Sequence, residues 1–339
     1  LTTPTENNHG EQQKKVKPMP VNIVKNVLDE TLERLIIPSF SKIGYKVRNR
    51  IYNWDNTHLN NLKGKTVAIT GPTSGLGKEI ATTLAKANAN LILMARNPKK
   101  LASLKDELSK FDCKTTSIIL DLSDSESVKQ AATELKQTSV LDAVIHNAGA
   151  IYKERTVTQS GIELTFMTQV IAPNMINQII NNKLQKSSDS RIIYIASGGM
   201  YSQKLQVDDL QTKEKYSGSK AYAKAKRAQV ELARVWSDNH DSIACYVTHP
   251  GWVDTPGLKH SLPKFYRILK PILRSTRQGV DTILWLTGTN KSELESGGFY
   301  HDREQRNRTL IPFTDSEPKD RIILSEKVQS VTEELLEQT

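Results

Sequence analysis

Thr70-Gly71-Pro72-Thr73-Ser74-Gly75-Leu76-Gly77 follows directly on the apolar run Val67-Ala68-Ile69. It opens a stretch in which Leu76, Ile80 and Leu84 recur at helical spacing. A short strand, a glycine-rich turn and a helix in that order make a phosphate-binding unit. The glycines let the backbone approach a pyrophosphate, and a helix beginning near Gly75 offers free N–H groups and the positive end of its dipole. The spacing is G-x-x-x-G-x-G and differs from the G-x-G-x-x-G of the common dinucleotide fingerprint, so taken alone it also fits a merely tight turn. The pattern around it decides between the two.

Outward from this turn, strand-like and helix-like segments alternate. Residues 67–70, 91–94, 117–120, 141–146, 192–196 and 243–248 are short continuous apolar runs of the kind that forms strands buried on both faces. Helical patterns lie between them, among them Val128, Ala132 and Leu135. Such alternation predicts an α/β fold, a Rossmann-type doubly wound parallel sheet with right-handed crossovers. The chain divides into a polar tail over residues 1–20, a basic amphipathic extension over 21–60, one Rossmann domain over 61–315 and a helical tail over 316–339. In the extension, Val24, Val27, Leu28, Leu32, Leu35 and Ile36 have helical spacing, and Pro38 is expected to break that helix.

With 37 % hydrophobic residues among 339, the chain can build a sizeable core, and no run approaches the roughly 20 apolar residues of a membrane span. No N-terminal apolar core with a small-residue cleavage site is present in this sequence. Cys113 and Cys245 fall far apart in apolar surroundings and read as two buried thiols of a reducing, cytoplasmic compartment. A net charge of +10 fits nucleic acid, an anionic membrane or a phosphorylated cofactor. No zinc-finger spacing, RNP-like run or helix-turn-helix signature supports nucleic acid, and no metal site is expected.

The other strand ends carry polar residues where open α/β sheets bind ligands. The second strand ends in Met94-Ala95-Arg96-Asn97, with Arg96 where an acidic residue would hold the ribose 2′-hydroxyl of NAD. A guanidinium there suits a 2′-phosphate and points to NADP(H). Asp121-Leu122 follows the third strand and Asn147-Ala148-Gly149 the fourth; each polar residue could also serve only as a turn former. After the sixth strand, Pro250, Gly251, Val253 and Thr255 lie beside the expected nicotinamide end. With Gly71, Thr73, Ser74, Gly75, Leu76 and Gly77 these form the expected cofactor set.

The fifth strand leads into Ser197, and a basic, Ala-rich helix further on carries Tyr222 and Lys226, one turn apart on one face. An ammonium near the phenol is expected to bring its pKa down, letting Tyr222 exchange a proton with a carbinol or carbonyl oxygen that Ser197 also binds. Tyr216 and Lys220 repeat the spacing, but Gly218 lies between them and Ser217 or Ser219 suits the N-cap of the helix that follows. Tyr222 and Lys226 are therefore the expected pair, and Tyr216 a substrate-loop or structural residue.

These elements in this order resemble the short-chain dehydrogenase/reductase family over roughly residues 62–312. Ser197-Gly198-Gly199-Met200, His249-Pro250-Gly251-Trp252 and Lys226-Arg227-Ala228-Gln229 are similar to one subgroup of it. The resemblance implies a Rossmann-fold oxidoreductase with Ser197, Tyr222 and Lys226 in catalysis. It also implies an asparagine in the helix after the fourth strand, completing a proton relay through water to the lysine. Here that position is Gln169, one methylene longer, so the relay either survives with shifted geometry or is impaired.

The same resemblance makes residues 258–274 a substrate cover. Leu258, Leu262, Phe265, Leu269 and Leu273 then imply a hydrophobic alcohol or carbonyl, lipid-, retinoid- or steroid-like, although leucines so placed also suit plain packing on the sheet. Residues 21–54, basic and carrying Tyr45, Tyr52 and Trp54, suit peripheral contact with an anionic membrane, an arm packed on the domain, or a homodimer contact. A cofactor-binding sensor or membrane-surface module with little turnover is the alternative to an enzyme.

Overall fold

The computed structural model describes residues 21–338. The polar tail expected over residues 1–20 lies outside the described residues. In chain order, helices α1 (Val21–Arg34), α2 (Ile36–Phe40) and α3 (Lys42–Tyr52) form an N-terminal arm. The domain then runs β1 (Thr66–Thr70), α4 (Gly75–Lys86), β2 (Asn90–Ala95), α5 (Pro98–Leu108), β3 (Thr115–Ile119), α6 (Ser125–Lys136) and β4 (Ala143–His146). A single helical turn α7 (Leu164–Phe166) continues through a π turn (Met167–Ile171) into α8 (Ala172–Leu184). Then come β5 (Arg191–Ile195), α9 (Gly218–Asn239), β6 (Ala244–Thr248), α10 (Pro256–Ser261), α11 (Pro263–Leu269), α12 (Thr276–Gly288), β7 (Phe299–His301), β8 (Glu304–Gln305) and α13 (Pro318–Glu337).

The sheet order is β3-β2-β1-β4-β5-β6-β7-β8, parallel except for the β7–β8 pair. The apolar runs are continuous because alternate residues serve two cores. Leu91 and Leu93 of β2 join Val67, Ile69, Ile145 and Ile193 on the face covered by α4 and α12, while Ile92 and Met94 join Ala68, Val144 and Ile192 on the other. The strand order reverses between β1 and β4, which opens a crevice at their carboxyl ends.

Two expectations are corrected. The arm breaks at Leu35, between α1 and α2, and Pro38 lies inside α2, where the ring's missing N–H falls in the first turn and costs no helical bond. Cys113 is only half-buried, since it precedes β3; Cys245 inside β6 is fully buried. The C-terminal helix starts at Pro318.

Candidate active site

The residues of the glycine turn have little freedom to be anything else. Gly71 and Gly75 take φ of +65° and +53°, where only glycine is unstrained. A Cβ on Gly77 would lie 2.1 Å from the Gly71 carbonyl oxygen. Asn147 braces the turn from β4: its Nδ2 donates to the carbonyls of Thr70 (2.9 Å) and Gly71 (3.0 Å), and the main-chain N–H groups of Asn147 and Ala148 donate to Thr70 Oγ1. Ser74 occupies the N-cap of α4, but its hydroxyl makes no capping bond, so the first-turn N–H groups of α4 get no side-chain acceptor from it. Backbone approachable at glycine and uncapped N–H groups at a helix start fit a dinucleotide pyrophosphate. Thr73 is half-buried and Leu76 points its side chain toward α12 at Gly279.

Across the crevice, the methyl and Cβ of Thr255 come 3.5 Å from the Cβ position of Gly75. The Thr255 hydroxyl accepts from Leu258 N–H to cap α10 and keeps its own proton to donate. Pro250 and Val253 are buried; Gly251 takes φ of +77°, with Arg274 packed where a side chain would go. Arg96 ends β2 exposed, with no hydrogen bond or ion pair among the described residues. Asp121 accepts from the N–H and hydroxyl of Ser123 and so forms a turn, while Leu122 packs on the core.

Beside this crevice stand Ser197, just after β5, and Tyr222 and Lys226 of α9. Lys226 is buried; its Nζ donates to the Ile195 carbonyl at 2.7 Å and to Gln229 Oε1 at 2.9 Å, and it lies 5.3 Å from the centre of the Tyr222 ring. Burial pushes the Lys226 ammonium down to about 7 and the Tyr222 phenol up to about 12. The phenol therefore moves opposite to the direction expected from its lysine: the ammonium sits over the ring and not at the hydroxyl, and desolvation decides. A protonated phenol at neutral pH is a proton donor. Ser197 Oγ accepts from Gly199 N–H at 3.4 Å.

Gln169 is fully buried in the π turn, and such turns gather at functional sites. Its side chain lies against Gly149, whose Cβ position is 3.0 Å from both amide atoms, and neither atom has a hydrogen-bond partner. Its main-chain carbonyl accepts instead, from Gln229 Nε2. Tyr216 bonds the Tyr152 carbonyl at 3.2 Å, a structural contact away from the Tyr222–Lys226 pair.

Residues 65–264 match the short chain dehydrogenase family model. The chain belongs to the short-chain dehydrogenase family. It is similar to dehydrogenase/reductase SDR family member 12 of Bos taurus, at 33 % identity, covering 87 % of this chain and 93 % of that protein. It is also similar to human retinol dehydrogenase 12, at 28 % identity over 71 % of this chain and 78 % of that protein. A short-chain dehydrogenase from Shigella flexneri solved with NADP shares the fold, with a TM-score of 0.58 and 22 % identity, covering 72 % of this chain and all of that one. Members of the family are oxidoreductases acting on CH–OH groups, and this chain is one of them.

In this short-chain dehydrogenase the arm packs on the domain, one of the alternatives its sequence left open, and reaches the site. Phe40 of α2 is buried edge-on against His249 and Trp252, and a Cβ on Gly198 would lie 2.7 Å from its ring. The signal missed was charge. Arg48 of α3 is fully buried and pairs with Asp29 (2.7 Å) and Glu33 of α1 and with Asp302 after β7 (2.8 Å); Arg274 bonds the same Asp302 and the Ser39 carbonyl. In sequence these look like a solvated face. The aromatic residues of the arm turn inward as well: Tyr52 donates to Asp29, Tyr45 lies under Arg274 and Trp54 under Arg303.

Proposed function

We propose that this chain is an NADP(H)-dependent oxidoreductase that reduces hydrophobic carbonyls and, in reverse, oxidises the corresponding alcohols. The arrangement that carries the reading is Lys226, anchored on the Ile195 carbonyl at the end of β5 and under the ring of a protonated Tyr222, with Ser197 just after the same strand. NADPH, when bound, supplies the hydride. Residues 71–77 cradle the pyrophosphate, and the unpaired Arg96 turns to the 2′-phosphate. Lys226 holds the nicotinamide ribose with its remaining N–H. Ser197 and Tyr222 hold the carbonyl oxygen, and Tyr222 delivers its proton as negative charge develops there. Leu258, Leu262, Phe265 and Leu269 are half-buried in α10, α11 and their junction, the segment that follows the Thr255 turn, and an apolar cover there favours an apolar substrate. The similarity to retinol dehydrogenase 12 supports this class.

NADPH consumption with retinal and other apolar ketones and aldehydes tests it. Tyr222→Phe is expected to lower kcat about 10²–10⁴-fold with NADPH binding retained. Full turnover in that variant rejects the mechanism, and cofactor binding without turnover of any such substrate favours a sensor instead.

We also infer peripheral contact of the arm with an anionic membrane. Val27, Leu28, Leu35, Ile36, Ile37 and Ile43 are exposed next to Arg34, Lys42 and Lys46. No helix among the described residues is long and apolar enough to cross a membrane. Co-sedimentation with phosphatidylserine vesicles is expected, and its absence in low salt contradicts the inference.

A further inference from the structure

We propose that Gln229 is a positioning residue for Lys226, its carboxamide tying the ammonium to the main-chain carbonyl of Gln169. The inference rests on the reading of Lys226 as the cation of the cofactor site.

Gln229 follows Lys226 by three residues and so lies on the same face of α9. It is buried, with 2 % of its surface exposed, and both ends of its amide are committed. Oε1 accepts from Lys226 Nζ at 2.9 Å, and Nε2 donates to the Gln169 carbonyl in the π turn before α8. Lys226 Nζ thus has two protein acceptors, one on β5 and one on its own helix, which fix its direction and leave one N–H for a ligand. The side chain of Gln169 takes no part; it is turned to Gly149.

Two consequences follow. The bridge accepts at one end and donates at the other through an amide, so it holds the ammonium and passes no proton. Gln229 therefore fixes where the ammonium sits, and the proton of Tyr222 does not pass through Gln229. The second consequence concerns charge. Burial disfavours the ammonium, whereas a hydrogen bond accepted from the charged form favours it. Gln229 therefore keeps Lys226 charged, and cofactor-competent, to a higher pH. Among the described residues the titratable groups tied to it are Tyr222 on α9, whose phenol is raised to about 12, and His146 on β4, which burial holds neutral down to about 4. Neither of them titrates between pH 6 and 9.

The test is NADPH affinity, followed by cofactor fluorescence from pH 6 to 9, in the full chain. Affinity is expected to weaken as Lys226 loses its proton. Gln229→Met keeps the side chain's length but offers no oxygen, and it should move that weakening about one pH unit lower. Gln229→Glu sets a carboxylate against the ammonium and should move it about one unit higher; opposite shifts are not what a merely structural residue gives. Lys226→Met should flatten the profile. If Lys226→Met is flat while both Gln229 variants superpose on the wild type, this proposal is wrong and the role of Lys226 stands. If Lys226→Met keeps the wild-type profile, the role of Lys226 falls and the proposal with it.

Discussion

A methyl group on Gly77 would meet the Gly71 carbonyl oxygen at 2.1 Å and Asn147 Nδ2 at 2.5 Å, both held in place by the bonds that shape the turn. Neither neighbour can move without opening the cradle. Gly77→Ala is therefore expected to abolish NADPH binding, checked by fluorescence titration of folded protein. Gly64 is a fitting control. It has φ of +77° with nothing within 4 Å of its Cβ position, so Gly64→Ala should cost only about 1–2 kcal/mol of backbone strain and leave binding intact. Equal binding by Gly77→Ala and wild type would contradict the assignment of the turn. At this scale most of the candidate site was legible. Glycine spacing, the strand-end polar residues and the Tyr222–Lys226 interval are local patterns. Gln229 was not, because a glutamine on a helix reveals nothing until its partner on another helix is known.

The arm holds to the domain by charge inside an apolar setting, and this is the element where the sequence pattern left most open. Arg48, Asp29 and Glu33 have the spacing of a solvated face, yet they converge with Arg274 and Asp302 out of water. Strands β7 and β8 escaped notice for a simpler reason: three and two residues are too few for any periodicity. The central strands and their helices were readable because burial on both faces demands long apolar runs. Arg48→Met would leave three carboxylates facing one another without it, and the loss is expected at about 3–5 kcal/mol, read by denaturant unfolding. A loss under about 1 kcal/mol would mean that the network is solvated. Burial raises the carboxyls of Asp29, Glu33 and Asp302, but Arg306 and Arg48 beside Asp29, His301 and Arg48 beside Glu33, and Arg274 and His301 beside Asp302 outweigh it and hold each below its ordinary range. Depressed carboxylates stabilise the fold above their unfolded pKa near 4 and lose that contribution as pH falls through the folded values. The wild type should therefore lose the contribution of the network progressively below about pH 4, and Arg48→Met should have less of it to lose.

At the scale of the whole molecule, two core layers enclose one mostly parallel sheet whose order reverses between β1 and β4, and the candidate cofactor turns follow the carboxyl ends of its strands. The chain's charge of +10 adds a general attraction for anions, but general attraction does not distinguish NADPH from NADH to the degree a dedicated residue does. The proposed function gives that distinction to Arg96, exposed and without an ion pair just after β2. Titration of the purified chain with NADPH and NADH at physiological salt is the most direct test of the central claim. NADPH is expected to bind at least about tenfold tighter, a difference near 1.4 kcal/mol, and Arg96→Asp is expected to lose that preference. Equal affinity for the two cofactors, or no binding of either, would contradict it.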